Sequence, residues 1–363
     1  MQGDFHYYAT YAASYLAGFS HEESQMIAYS AQLVDYCTAT LLKKIGGPPS
    51  AATTQLTLEL ANAGADVLSL QNATRIWASF HFLPYDLYAK LPKRTQIYMR
   101  KYRLVCNPNG ALLVDTVNLA RGKGPQAYGI AMHILADTWA HRYFAGTPSL
   151  VINNATEFYD LLKNEPIKFS HNPVGAEDID RSRYINTVFQ SAESSIMNLG
   201  HGRAGHLPDY SFMKYQFLPA WDNYEAVVKD NPSDYYHAFC QMIYALKGLR
   251  GDGADFHTDT YDEEAVMPWR DEIMEILTTR ALSAEPEWER FGEKLSGQRI
   301  EAFSTAKYEQ EYISADAKGK PETFLGRFIS AATAQKSMVT SKIFKSKSLL
   351  AGYCIDFKDL LNR

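Results

Sequence analysis

The chain has 363 residues, of which 46% are hydrophobic and 21% are charged, and its formal net charge is -5. This balance is typical of a globular protein with one large core or two domains, and it excludes an intrinsically disordered chain. The acidic net charge gives no sign of the basic surface that nucleic-acid binding requires, and no apolar run approaches the roughly 18 residues that span a membrane.

The first residues contain no basic segment and no apolar run leading to a small-residue cleavage site. They therefore predict no signal peptide and a cytoplasmic location, with export by another route left open. The cysteines are widely spaced and include no C-x-x-C pair, which predicts reduced core residues and neither a thiolate zinc site nor a disulfide framework. The four cysteines are Cys37, Cys106, Cys240 and Cys354.

Helical periodicity begins near the amino terminus. Residues 6–16 are predicted to form a first helix that ends at Gly18, which can adopt the left-handed conformation. Ser20 and Glu23 have the spacing of a capping box and open a second helix. Asp35 is predicted to lie inside this second helix.

The second helix is predicted to end before the Gly-Gly-Pro sequence at 46–48. Residues 51–72 mix β-branched and small residues and indicate an irregular excursion or a short hairpin. Residues 75–83 lead into Pro84, and a turn is predicted at 107–110. Further helices are predicted at 91–105, 125–144, 179–199, 231–249, 263–280, 285–295 and 322–339.

These elements predict a mainly α protein, a multi-helix globular bundle with irregular loops. After Ala281, Lys and Glu become frequent and no further histidine occurs. This shift predicts a helical metal-binding domain at 1–281 and a helical carboxy-terminal extension packed on it at 282–363. A basic cluster in the extension indicates a solvated face, with contact to an anion or a membrane as the alternative. Its members are Lys336, Lys342, Lys345 and Lys347.

Three polar side chains recur every four residues along the predicted helix at 125–144. His133, Asp137 and His141 therefore lie on one helical face. Their neighbours are mostly apolar, so the ridge faces the core or a pocket wall, where a buried charge needs a partner. A divalent cation bound by imidazole and carboxylate supplies that partner, and hydrogen bonds between side chains are the alternative.

Other histidines and acids lie beside special backbone signals or in segments patterned for burial. Three glycines allow residues 200–209 to form a tight loop that brings two imidazoles and a carboxylate together. For each candidate the alternative is a hydrogen-bonded core residue, an incidental turn residue or an exposed one. The further candidate ligands are His6, Asp35, His81, His201, His206 and Asp209. The histidines predicted to lie outside the site are His21, His171, His237 and His257.

Other catalytic patterns are missing from the sequence. It contains no G-x-S-x-G, G-x-x-x-x-G-K-[ST] or H-E-x-x-H motif, and no G-x-G-x-x-G follows a predicted strand. It also lacks the adjacent His-Asp pair on which HD-type phosphohydrolases depend. Ligation of a metal by dispersed His and Asp residues is the pattern that remains.

The order of these residues resembles that of the helical zinc-dependent phospholipase C and P1-type nuclease superfamily, whose members bind zinc through His and Asp residues on helices. The resemblance lies in the order of the ligands and implies the same kind of helical fold. It implies an early ligand at His6, a bridging carboxylate at Asp35, the next histidine at His81, an H-x-x-x-D pair at His133 and Asp137, and the following histidine at His141.

The segments DFHYY, HFLP, ADTWAH and GHG are also similar to an uncharacterised bacterial and fungal family, over roughly the first 250 residues. The chain departs from the phospholipase and nuclease pattern in two ways. Five residues precede His6, whereas the secreted enzymes use a processed amino-terminal residue as a ligand. The last His and acid pair has no clean equivalent, because Gln241 follows His237 four residues later. His201, His206 or Asp209 is expected to take that place.

The residues and the resemblance together predict a metal-dependent hydrolase. The expected substrate is a phosphoester of the phospholipid or nucleotide type, and the expected cofactor is one or two Zn²⁺ ions, with Mn²⁺ or iron possible. Asp35 or Asp137 would act as the general base, and Arg142 or Arg203 would contact the substrate anion. The alternatives are a non-catalytic binding protein with a closed structural metal site, and a metal-free helical protein.

Overall fold

The computed structural model describes residues 1–55, 67–147, 149–167, 199–251 and 255–348. These residues form a mainly helical protein with one small antiparallel sheet, which agrees with the predicted fold class at that level. Most of the predicted helix at 179–199 and the middle of segment 51–72 lie outside the described residues.

The helices are numbered in chain order over the described residues. The α-helices are α1 Thr10–Leu16, α2 His21–Leu33, α3 Ala39–Lys44, α4 Val67–Ile76, α5 Gln96–Tyr102, α6 Ala111–Ala120, α7 Pro125–Ala140, α8 Leu150–Asn153, α9 His201–Ala204, α10 Asn231–Arg250, α11 Glu263–Val266, α12 Arg270–Thr278, α13 Glu285–Ser296, α14 Ala306–Ser314 and α15 Phe324–Lys345. The π-helical turns are Asp4–Ala9 and Trp77–His81, and the 3₁₀ turns are Pro49–Ala51, Ala220–Asp222, Met267–Trp269 and Lys320–Glu322.

The predicted signals at the ends of several helices are confirmed. The first helix ends before Gly18, whose φ of 91° only glycine adopts without strain. The capping box of Ser20 and Glu23 is formed in both directions, with N to O distances of 3.0 and 3.2 Å. Pro125 and Pro232 occupy first-turn positions in α7 and α10, where a missing N–H costs no helical hydrogen bond.

The prediction of one continuous second helix through Asp35 is wrong. Helix α2 ends at Leu33, and α3 begins only at Ala39. The hydroxyl of Thr38 accepts a hydrogen bond from the N–H of Leu41 at 3.0 Å, so a new amino-terminal cap interrupts the periodic pattern. Asp35 therefore lies in the turn between the two helices.

Proline breaks another predicted helix. The segment 263–280 forms the short helix α11, a 3₁₀ turn that contains Pro268, and then α12. Proline in a helix interior removes a hydrogen bond and clashes with the preceding turn, so the periodic apolar pattern continues while the helix does not. The predicted helix at 91–105 is also shorter than expected. Helix α5 begins only at Gln96, because the Thr95 side chain accepts a hydrogen bond from the N–H of Tyr98 and caps the helix there.

A four-stranded antiparallel sheet contributes Phe158, Tyr215 and Phe217 to a second apolar cluster, and the sequence pattern did not predict it. Its order is β2-β1-β3-β4, with Asp160 opposite Tyr215 and Lys214 opposite Asp230. The register shifts between Thr156 and Tyr159, which interrupts the alternation of residues on which strand prediction depends. The strands are β1 Ala155–Asp160, β2 Glu165–Pro166, β3 Lys214–Pro219 and β4 Val227–Asp230.

Helix α7 lies at the centre of the core. All but its first residue are buried, because α2, α10 and α15 pack around it. Trp288 and Phe328 belong to the same apolar cluster as Phe5, so the carboxy-terminal helices pack into the main core. The predicted domain boundary at residue 281 stays a prediction.

In the described part of the chain, no helix combines the length and apolar character that crossing a bilayer would need.

Candidate metal centre

Helix α7 presents the predicted ridge to the interior. His133 and Asp137 are at most 1% exposed, and His141, at the carboxyl-terminal cap of α7, is 5% exposed. A buried carboxylate and two imidazoles on one face require partners from other segments. The structure supplies these partners from both sides of the ridge.

Two π-helical turns bring further histidines to the ridge. His6 lies in the turn Asp4–Ala9, and His81 is the last residue of the turn Trp77–His81. A π-helical turn moves side chains out of the α-helical register, and such turns are frequent at functional sites. The His6 ring stacks on the ring of His133 with a centroid distance of 3.8 Å.

Asp137 is the centre of the cluster. Its Oδ1 atom lies 3.2 Å from His6 Nε2, and its Oδ2 atom lies 3.2 Å from both His81 Nδ1 and His133 Nε2. Ligand atoms on one zinc ion, each about 2.1 Å from the metal, are about 3.4 Å apart in a tetrahedron. The spacing around Asp137 therefore matches that of atoms that share a metal ion.

Asp35 approaches the same histidines from the turn after α2. Its Oδ1 atom is 3.8 Å from His133 Nε2 and 3.9 Å from His81 Nδ1, and its Oδ2 atom is 4.0 Å from His6 Nε2. The Asp35 side chain is 30% exposed, in contrast to 1% for Asp137. Solvent therefore reaches the cluster at the edge that Asp35 forms.

A second group of ligands lies beyond His141. Asp209 Oδ1 is 3.2 Å from His201 Nε2 and 3.5 Å from His141 Nε2. His206 Nδ1 is 3.5 Å from the other oxygen of Asp209, but its side chain is half exposed. The structure thus brings His201 and Asp209 to the site and leaves His206 at its rim.

Buried amides hold the loop that carries this second group. The Asn231 side chain donates to the carbonyl oxygens of Leu207 and Tyr210, both at 2.8 Å. Asn153 Oδ1 would lie 2.2 Å from a Cβ atom at Gly200, whose φ is 53°, so only glycine fits before His201. The glycine-rich loop is therefore fixed by packing as well as by its own turns.

Backbone carbonyls orient three of the imidazoles. His133 Nδ1 donates to Ala31 O at 2.9 Å, His81 Nε2 to Thr53 O at 2.9 Å, and His141 Nδ1 to His81 O at 2.7 Å. A carbonyl oxygen only accepts, so each of these nitrogens carries the hydrogen. In a neutral imidazole the other nitrogen, which faces the cluster, then has a free lone pair. This arrangement is the usual one for metal-binding histidines.

His6 differs from these three imidazoles, because no backbone carbonyl accepts a hydrogen bond from its ring among the described residues. Its ring is fully buried, and neither ring nitrogen has a hydrogen-bond partner in the described part of the chain. An unsatisfied buried imidazole is costly, and a metal ion at Nε2 would satisfy it. The donor set of the cluster therefore fits a cation better than it fits side-chain hydrogen bonding alone.

The amino group of Met1 lies between the two groups of ligands. Its nitrogen is 2.9 Å from Asp137 Oδ1, 3.4 Å from Asp209 Oδ1 and 3.4 Å from His141 Nε2. The residues before His6 thus fold back and bring the Met1 nitrogen to the centre. Nothing in the sequence pattern indicated this position.

Burial sets the protonation of the cluster. It lowers the pKa of His6, His133 and His141 to about 4, which keeps these imidazoles neutral near pH 7. Burial opposes ionisation of Asp137, but His141 and the Met1 ammonium outweigh it and hold the pKa of this carboxyl well below its usual range. Burial likewise opposes protonation of His81, but its hydrogen bond to Asp137 outweighs burial and raises the pKa of this imidazole. Neutral imidazoles and ionised carboxylates are the forms that bind metal, so an ion at His81 would displace its proton.

Among the residues that the structure describes, three groups of side chains are positioned to hold a metal ion, and within each group the ligand atoms lie within 4.8 Å of one another. His133 belongs to two of the groups, so these two sites would be neighbours. The prediction that His and Asp side chains converge in an arrangement able to hold a metal ion is confirmed, while the binding of a metal and its identity stay predictions. The groups are His6, His133 and Asp137; Asp35, His81 and His133; and His141, His201 and Asp209.

The two arginines predicted to contact substrate have different surroundings. Arg142 donates to Asp234 at 2.8 Å and to the Tyr143 hydroxyl at 2.7 Å, so its guanidinium is already engaged. Arg203, on α9 beside His201, has no acidic partner among the residues that the structure describes. Arg203 therefore remains the better placed of the two for an anionic substrate.

Comparison with known proteins places the chain in a family. A family model matches residues 1–343. The chain belongs to a family of unknown function, DUF6765. No significant match was found among curated proteins or among solved structures. Membership of DUF6765 brings no activity with it, and the resemblance to the phospholipase C and P1-type nuclease superfamily stays a prediction.

Proposed function

We propose that this DUF6765 member is a metal-dependent hydrolase of phosphoric esters. The observation that carries the proposal is the convergence of three histidine nitrogens on Asp137, because His6 Nε2, His81 Nδ1 and His133 Nε2 each lie 3.2 Å from one of its carboxylate oxygens. Nitrogen and carboxylate donors at this spacing favour Zn²⁺, and they also suit Mn²⁺ or iron. When bound, such ions supply an activated water and stabilise developing negative charge.

The side chains of this cluster support distinct roles. Asp137 is enclosed and holds three histidines in place, which suits a bridging ligand. Asp35 is the partly exposed acid at the solvent edge, so its carboxylate is placed to accept a proton from an attacking water. We assign Arg203, two residues after His201 in α9, to contact with the phosphate of the ester.

One observation favours a second candidate, a structural metal site in a binding protein. His6, His133 and Asp137 are almost completely buried, and a closed site of this kind holds its ion without an open position. This alternative predicts bound metal without turnover. The partly exposed edge at Asp35 favours the hydrolase, because a substrate needs an open position there.

The first experiment is elemental mass spectrometry on protein purified without added metal. We expect about stoichiometric zinc, manganese or iron in the wild type and its loss in His133→Ala/Asp137→Ala. The variant His237→Ala is the matched control, because His237 stacks on Trp139 outside the cluster and should leave the metal content unchanged. Equally empty wild type and double variant after metal is supplied would contradict the proposal.

The second experiment tests hydrolysis on metal-loaded protein, with a phosphomonoester and a phosphodiester that release 4-nitrophenol. Turnover that disappears in His133→Ala/Asp137→Ala and persists in His237→Ala would support the hydrolase. Tightly bound metal with no turnover of either ester, or of short-chain phospholipids and nucleotides, would favour the structural site instead.

A further inference from the structure

A groove runs along helix α15. The segment at Thr53, whose carbonyl oxygen accepts a hydrogen bond from His81, separates the groove from the metal centre. The other walls of the groove are formed by α3, the 3₁₀ turn Pro49–Ala51 and the end of α4. Its volume is about 1210 Å³, which exceeds that of a site for a single small ion and suits a ligand with an organic part.

The described residues that line the groove carry positive charge. Lys43, Arg75 and Lys336 line it, and none of the described lining residues is acidic. Six hydroxyl groups add neutral polar atoms along the same walls, although that of Thr333 already donates to Ile329 O, and Ile76 and Phe344 add apolar surface. The hydroxyl residues are Thr40, Ser50, Thr333, Ser337, Thr340 and Ser341.

Lys336 is held in place at the groove wall. Its Nζ atom donates to the carbonyl oxygen of Ala52 at 2.8 Å, which leaves two of its three N–H donors for other partners. Burial lowers the pKa of Lys336 to about 8, and the neighbouring charge of Arg75 acts in the same direction. A fixed and partly desolvated ammonium of this kind gains from an anionic partner.

The four lysines of the predicted basic cluster therefore have different environments. The Lys342 ammonium is 2.5 Å from the carboxylate of Asp115, so its charge is already compensated outside the groove. Lys345 and Lys347 are exposed and do not line the groove. Only Lys336 of the four faces the groove.

The groove is separate from the metal centre but shares a wall with it. Residues 52 and 53 form this wall, and their carbonyl groups serve opposite sides of it. Ala52 O accepts a hydrogen bond from Lys336 in the groove, and Thr53 O accepts one from His81 in the metal centre. An anion in the groove would therefore lie outside the cluster of His and Asp ligands.

We propose that this groove binds a phosphate-bearing anion at a site distinct from the metal centre. Lysine ammonium groups act as point charges for phosphate oxygens, and the hydroxyl and amide groups of the lining add hydrogen bonds to the same oxygens. The size and apolar part of the groove point to a phosphoester more than to free phosphate. The site does not depend on the metal centre being catalytic.

Isothermal titration calorimetry on the full-length protein tests this site, with phenyl phosphate and inorganic pyrophosphate as probes. We expect about tenfold or greater loss of affinity in Lys336→Gln, because one charge-assisted hydrogen bond is lost. Lys342→Gln is the matched control on the same helix and should bind within about twofold of the wild type. Tighter binding of phenyl phosphate would identify a phosphoester ligand, and tighter binding of pyrophosphate would identify a free anion.

A second variant tests the groove independently, in case Lys336→Gln does not fold. Ser337 is exposed on the groove wall, so Ser337→Glu adds a negative charge to the groove at little cost to folding and should also weaken binding about tenfold. Two results would overturn the proposal: no binding of either probe to the wild type, or equal affinity in the wild type, Ser337→Glu and Lys342→Gln. Neither result would affect the metal-content test, since both variants leave the metal ligands intact.

Discussion

Two carboxylates serve the metal centre, and their environments differ. Asp137 lies within 3.2 Å of three histidine nitrogens, whereas the nearest histidine nitrogen to Asp35 is 3.8 Å away. Asp137 is also the more deeply buried of the two. Their contributions to metal binding should therefore be unequal.

We expect Asp137→Asn to lose most of the bound metal and Asp35→Asn to retain the larger share of it. An amide keeps the shape of the side chain but removes the charge, and the loss matters most where three imidazoles converge on one carboxylate. Elemental analysis of the two variants after identical purification measures the difference. Equal loss of metal in both variants would contradict the central position of Asp137.

Lys229 is a buried charge beside the carboxyl end of α7. Its ammonium donates to Trp139 O at 2.7 Å and pairs with Asp234. Burial lowers its pKa from 10.5 to about 8, although Asp234 acts in the opposite direction. The unfolded chain keeps this proton up to about pH 10.5, so the folded state gains stability as the pH rises from 8 to 10.5.

The substitution Lys229→Met should remove this pH dependence of the free energy of unfolding. We expect the free energy of unfolding of the wild type to rise by about 3 kcal/mol relative to Lys229→Met between pH 8 and pH 10.5. Urea denaturation at the two pH values measures the change. Lys214→Met, at a half-exposed pair with Asp230, controls for the loss of a lysine. Parallel pH profiles of wild type and Lys229→Met would rule out the expected titration.

At the scale of elements, local signals in the sequence predicted helix ends better than helix continuity. The capping box at Ser20 and the glycine stop at Gly18 are local, and both are confirmed. The turn that contains Asp35 was missed because the apolar periodicity continues through it. The sheet was missed because its strands pair over long separations and contain a register shift.

The contact between α2 and α7 depends on one glycine. A Cβ atom at Gly129 would lie 2.3 Å from Ile27 O and 2.5 Å from the Cβ atom of Ser30. These distances leave no room for a methyl group, so the two helices would have to separate. Because α2 supplies the carbonyl of Ala31 that orients His133, separation would also disturb the metal centre.

We therefore expect Gly129→Ala to lower the free energy of unfolding by about 3 kcal/mol and to reduce the metal content. Ser20→Ala is the comparison, because it removes the cap of the same helix α2 at an exposed position. It should cost about 1 kcal/mol and leave the metal content unchanged. Chemical denaturation and elemental analysis of both variants separate the two effects. A Gly129→Ala protein with wild-type stability and metal would contradict the close packing.

At the scale of the whole molecule, the centre joins segments that are far apart in the chain. The spacing within α7 was sufficient to predict that His133, Asp137 and His141 share a face, because helix geometry fixes their relation. The approach of His6, His81 and Asp209 depends on tertiary packing, which no local pattern encodes. The position of the Met1 amino group and the carbonyl partners of the histidines depend on that packing as well.

Removal of the metal should therefore loosen the whole fold. The centre ties the amino-terminal turn, the end of α2, the turn at His81, α7 and the loop at Asp209 to one another, so bound metal stabilises the folded state alone. At a free metal concentration of about 1,000 times Kd this stabilisation is about 4 kcal/mol, which corresponds to a Tm shift of about 5 °C for a chain of this size. We expect a chelator to lower the Tm of the metal-loaded wild type by about this amount and to leave that of His133→Ala/Asp137→Ala unchanged, as measured by calorimetry. Equal melting of the loaded and chelated wild type, with metal content verified in both samples, would show that the ion does not hold these segments together.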